Sequence, residues 1–149
     1  MFKITRWVIV FALLMLGCTS SGGGSIVDTT YTDLVTGLDA ARQSQAAALA
    51  LWDRVIFGEV VSCQDFIPVP PPVQLSAQLL AAHPGADAIQ ARLNEAIQAI
   101  HDSSDLWNIE CAFDRATVPL NMAKSGRAAA LAATAPLDTA AQMLAAWGG

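Results

Sequence analysis

Beyond residue 29 the apolar positions recur at steps of three and four. Tyr31, Leu34, Leu38, Ala41, Gln45, Leu49, Trp52, Ile56, Val60 and Cys63 form one stripe, and Asp33, Asp39, Arg42, Asp53 and Arg54 fall mostly off it. This is the period of a helix buried along one face. The string "TYTD" at 30–33 reads as its capping box, so a first helix is predicted over about 30–62, with Gln45 as a polar interruption. A second stripe runs Ala86, Ile89, Leu93, Ala96, Ile97, Ile100, Ser104, Trp107, Cys111. Pro84 before it suits a first helical turn, where a missing amide costs nothing, and a helix is predicted over roughly 84–112. A third begins near Pro119 and carries Leu120, Met122 and Leu131. "TAPLD" at 134–138 breaks or kinks it before a last piece at 137–147. Ten of the nineteen residues at 128–146 are alanine, which favours helix and allows close approach of neighbouring backbones.

Between the first two stripes lies "DFIPVPPPVQLSAQLLAAH", residues 65–83. Pro68, Pro70, Pro71 and Pro72 forbid helix until about Val73 and favour polyproline-like extension. The first helix spans roughly 48 Å at its usual rise. Eight extended residues return about 25 Å, and eleven helical ones about 16 Å. The near match predicts a return along the side of a bundle, half strap and half helix, in preference to a PxxP recognition site, whose usual readers are cytoplasmic modules. Neither strand-like alternation nor a hairpin dipeptide is present. The predicted fold is therefore all-α: a small up-and-down bundle of about four helices over 28–149, the second short and preceded by the Pro-rich strap. This topology makes the first two long helices parallel and brings Cys63 and Cys111 inward-facing to the same end. In an oxidising compartment they are expected to form one interhelical disulfide, with Trp107 packed beside it. Neither cysteine has the C-x-x-C setting of a redox-active thiol.

The N-terminus bears on the compartment. Lys3 and Arg6 precede ten apolar residues, Trp7–Leu16, the charged and apolar regions of an export signal. About twenty apolar residues are needed to cross a bilayer, so the run is short for a span. "LMLGC" at 14–18 resembles the lipobox of bacterial lipoproteins, with Met15 where that family usually has leucine. The resemblance covers only the first eighteen residues. It implies a signal peptide over 1–17, acylation of Cys18 through diacylglyceryl and N-acyl groups, and a membrane as partner. Each buried methylene contributes roughly 0.8 kcal/mol and one chain binds only marginally, so several chains make a lasting anchor. Residues 18–27 would then link anchor to bundle, with the glycine and serine of 19–25 predicting a flexible tether. Thr19, in place of an aspartate, favours the outer over the cytoplasmic membrane in an organism that has both. The competing reading is an ordinary cleaved signal, but Met15 and Leu16 are too bulky for an A-x-A-like site.

Composition narrows the chemistry. With 54% hydrophobic and 14% charged residues, the chain is unlike disordered sequences. Both cations of the signal set aside, six basic residues face thirteen acidic ones, a formal charge of −7. Such a body repels nucleic acid. Of two histidines, His83 is expected as a solvated residue at a helix junction. His101 shares a helix face with Asp105 one turn on, a weak cation or metal candidate set against a surface ion pair. With no second ligand cluster, no metal is assigned. No nucleophile, base and orienting group are recognisable, there is no haem-attachment motif, and no cofactor is implied. Glu59, Asp65, Asp102, Asp105, Glu110 and Asp114, with Arg115 as counter-charge, fall near one end as a cation-attracting, partner-docking or solvated cap. In "KSGR" at 124–127, Gly126 costs about 1 kcal/mol inside a helix, so close contact with a neighbour or a kink is expected there, within a small basic spot of Lys124 and Arg127. The expected role is noncatalytic: a lipid-anchored envelope protein acting as an accessory or protein-interaction module. The second reading is a binding module enclosing a small apolar ligand or haem between helices.

Overall fold

A computed structural model describes residues 26–113 and 117–147. The expected signal peptide, the expected acylation site Cys18 and the glycine and serine residues after it, and Asp114 and Arg115, lie outside those residues. Five helical segments follow in order: α1 Ile26–Ile56, α2 Ala77–Ala82, α3 Ala86–Ala112, α4 Leu120–Ala132 and α5 Thr134–Trp147. Among the described residues there is no strand. Helix α3 packs on α1, α4 and α5, and α1 also packs on α4 and α5, giving a small up-and-down bundle with one disulfide. None of the described helices is long and apolar enough to cross a membrane.

Two boundaries of α1 differ from the sequence expectation, each for a local reason. The helix starts at Ile26, one turn before the capping box, and Thr30 is fully buried. Thr30 lies four residues before Leu34 and so continues the buried seam. At the other end α1 stops at Ile56, six residues early. Gly58 adopts φ +81°, a left-handed conformation that glycine enters without steric cost, and the Phe57, Gly58 and Glu59 amides donate back to the carbonyls of Asp53, Val55 and Arg54. Val60 and Cys63 therefore leave the helix. The seam also drifts: Ser44, Ala48 and Leu51 are buried in place of the predicted Gln45 and Leu49, which are half-buried. Gln45 instead donates to the Ala130 carbonyl at 3.0 Å and to Thr134 Oγ1 at 2.8 Å, serving the junction where α4 gives way to α5. Pro136 occupies the first turn of α5, where a proline needs no amide partner.

The strap returns along the side of the bundle as expected, but its extended part runs on to Ser76 and α2 has six residues instead of about eleven, because the Val73 and Leu75 amides are taken by α3 side chains. It runs down α3, held by Trp107 Nε1 to the Asp65 carbonyl at 2.7 Å, by Asn94, and by the Leu75 amide to Gln90 at 2.7 Å. Asn94 satisfies both backbone groups of Val73, at 2.8 and 3.0 Å. On the α1 side Ser44 Oγ donates to the Pro68 carbonyl, Ile67 is buried, and a Cβ at Gly37 would lie 2.7 Å from the Val73 side chain. The strap thus fills the groove between α1 and α3 and makes them parallel. One turn before the end of α1, Trp52 is fully buried with its Nε1 donating to Ser103 Oγ, and that hydroxyl donates to the Gly126 carbonyl, both at 2.9 Å. A Cβ on Gly126 would come within 2.2 Å of the Trp52 ring. Close contact, rather than a kink, is why this position is glycine.

Candidate functional site

The bundle has two ends of different character. At the first, the chain leaves α1 through the Gly58 turn, and Cys63 reaches Cys111 in the last turn of α3, with 5.5 Å between their Cα atoms. The predicted pairing is present, but Cys63 is exposed and Cys111 half-buried, not inward-facing, because α1 ends before Cys63. The bridge consequently joins a loop to α3. Trp107 meets Trp52 edge-on, ring centroids 5.5 Å apart at 86°, a favourable aromatic geometry. It also lines a cleft of about 190 Å³ with Cys63, Glu59, Val60, Glu110 and Val118.

Around this end Phe57, Val60, Phe66, Ile109, Phe113 and Leu120 are all roughly half or more exposed, Phe57 at 82% and Val60 at 95%. Acidic groups stand among them. Arg54 joins Glu59 at 3.0 Å and Asp65 at 3.3 Å, and the hydrogen bond it gives Glu59, followed by that to Asp65, raises the affinity of the guanidinium for its proton. Glu110, expected with the solvated acids, is buried in the last turn of α3. Asp102 and Asp105 are exposed one to two turns earlier on the same helix. His101 Nδ1 pairs with Asp105 at 3.1 Å, both side chains about half exposed. Among the described residues no group of three or more His, Cys, Asp or Glu is placed to hold a metal ion. The basic spot of "KSGR" is partly spent, since Arg127 Nε binds Asp53 at 2.6 Å.

The second end gathers the start of α1, the α2–α3 junction and the end of α5. His83 corrects the expectation of a solvated residue: it is only 9% exposed, and its Nε2 is buried with no protein partner. Its ring packs against Trp147 at 5.8 Å, whose other neighbour is Tyr31 of α1, edge-on at 6.4 Å. Pro84 does not begin α3; Gly85, at φ +96°, turns the chain and precedes its first residue. Beside Trp147 is a shallow depression of about 330 Å³, lined by Pro84, Gly85, Ile89, Met143, Ala146 and Trp147, with no charged side chain.

Sequence reasoning finds the bridge and the Gly126 contact but not the exposed apolar groups of the disulfide end. Their signal is present: Phe57, Phe66 and Phe113 sit off the helical stripes and flank the two cysteines within a few residues. The fold and these surfaces define a small all-α bundle with one disulfide and apolar features at both ends. No protein-family model, curated protein or solved structure matches the chain.

Proposed function

We propose that the protein is a noncatalytic lipoprotein of the bacterial cell envelope, exported, acylated on Cys18, and anchored in the outer membrane where the organism has one, whose bundle offers its disulfide end to an envelope protein. The observation that carries the interaction reading is the set of six exposed large apolar side chains at that end. Taking about 200 Å² for each aromatic and somewhat less for each aliphatic side chain, they present on the order of 700 Å² of apolar surface. One partner's share of a standard protein interface is about 800 Å². Arg54 offsets one of the two charges of Glu59 and Asp65 beside them, and the remaining negative charge, with the acidic body, suits a partner with a basic rim. Support for the anchor comes from the lipobox-like "LMLGC" and from the disulfide, which belongs to oxidising compartments.

Two experiments in the native cell test this reading. Cys18→Ser is expected to abolish detergent-phase partitioning and change the mature mass; an unchanged mass and unchanged partitioning would overturn the anchor. Photo-crosslinking side chains at Phe57 and Phe66 are expected to capture one discrete protein that an equivalent probe at Gln43, exposed midway along α1, does not. Equal or absent capture from all three positions would overturn the interaction role.

A further inference from the structure

We infer that the depression beside Trp147 is the surface on which the bundle rests against the lipid leaflet that holds its anchor. This inference rests on the proposed acylation of Cys18. Three observations converge on one end of the molecule. Tyr31 touches Trp147, so the start of α1 and the depression share that end. From Cys18 to Ile26 the chain has eight steps, which reach at most about 28 Å when fully extended, so a leaflet holding Cys18 is always within that distance of the start of α1. The depression itself is formed by apolar side chains and a glycine turn, with a half-buried indole at its edge. Indoles favour the headgroup level of a bilayer, where one edge of the ring is wet and the face is apolar.

Charge decides which lipid suits it. The exposed charged groups within three residues of its lining are Asp87 and Arg92, both on α3, and Arg92 is paired with Glu95 at 2.6 Å, so no net positive charge stands beside it. The contact is therefore with zwitterionic lipid, not with an anionic surface. Helix α1 begins five residues before Tyr31, so it projects about 7 Å beyond the level of Trp147. The bundle must lean from the membrane normal for the depression to touch.

The test separates this seating from the chemistry of native acylation. A chain of residues 18–149, which contains every described helix, is coupled through the Cys18 thiol to phosphatidylcholine vesicles bearing a maleimide lipid; Cys63 and Cys111 are bonded and do not couple. Three tryptophans remain, and Trp52 and Trp107 are at most 1% exposed. Emission from Trp147 is expected to shift to the blue and to lose about half its intensity when the phosphatidylcholine is brominated high on its acyl chains, as for an indole at headgroup depth. Ala146→Glu, an exposed position at the rim, is expected to remove most of that quenching with helicity unchanged. No quenching in the coupled wild type overturns the seating, as does quenching that survives in A146E. A blue shift that depends on protein density and not on bromination assigns the surface to a second copy and also overturns it. Loss of partitioning on Cys18→Ser in cells tests the anchor independently of all three.

Discussion

At the scale of single residues, Gly126 carries the sharpest constraint. Its missing side chain is what lets the Trp52 ring lie against α4, and Ser103 locks the pair by accepting from the indole and donating to the Gly126 carbonyl. Alanine at 126 gains up to about 1 kcal/mol of helix propensity, but its Cβ meets a fully buried ring that has no room to withdraw. Overpacking of this kind costs about 1–3 kcal/mol, and the direct overlap with two ring carbons places Gly126→Ala near the top of that range. Urea unfolding followed by circular dichroism is expected to show a net loss of about 2 kcal/mol. A variant as stable as the wild type would mean that the close approach is not what selects glycine. That the helical glycine marks a close contact or a kink is legible from its setting; the structure decides for the contact. The partner is not legible, because Trp52 is 74 positions away and belongs to the stripe of another helix. His83 eludes sequence reasoning for a related reason: its neighbours in sequence are small or turn-forming, and what buries it is Trp147, at the far end of the chain.

At the scale of elements, the helices are legible wherever apolar spacing and packing agree. The α3 stripe is buried almost as written, apart from Cys111, which is half-buried. The α1 stripe is legible as a helix but slips by one residue at Gln45 and Leu49 before Trp52 rejoins it, because hydrophobicity favours Leu49 whereas the packed groove favours the smaller Ser44 and Ala48. Its early end is hidden by Val60 and Cys63, which keep the period after Gly58 has already turned the chain. The strap is the most informative element, since its prolines and length determine where it must run. What holds it is not readable: Asn94 treats Val73 as a neighbouring strand would, taking its amide and giving to its carbonyl. Asn94→Ala leaves both groups of Val73 without that partner, a loss of about 1–2 kcal/mol. Amide exchange at Val73 is expected to accelerate about tenfold or more, with amides in mid-α3 unchanged. Uniform acceleration across the bundle would instead mean that the strap opens only when everything unfolds.

For the whole molecule, the bridge between Cys63 and Cys111 closes a sequence separation of 48 residues, which in the chain-entropy model contributes about 4 kcal/mol. The loop it staples is also held by Trp107, Ser44 and Asn94, so the pair of substitutions Cys63→Ser and Cys111→Ser is expected to keep the helical spectrum at room temperature while lowering the free energy of unfolding in urea by about that amount. Loss of helicity under those conditions would show that these polar contacts cannot hold the return segment alone. The pairing is legible from the topology; the exposure of Cys63 is not, because it follows from where α1 ends. The parallel course of α1 and α3 has a consequence for geography. Both helices climb in the same direction, and the 31 residues of α1 measure about 46 Å. If the first turn is moored at a lipid sheet, the opposite tip stands off by up to that height, so the molecule behaves as a spacer, and partners too short to rise to its summit are excluded by stature alone.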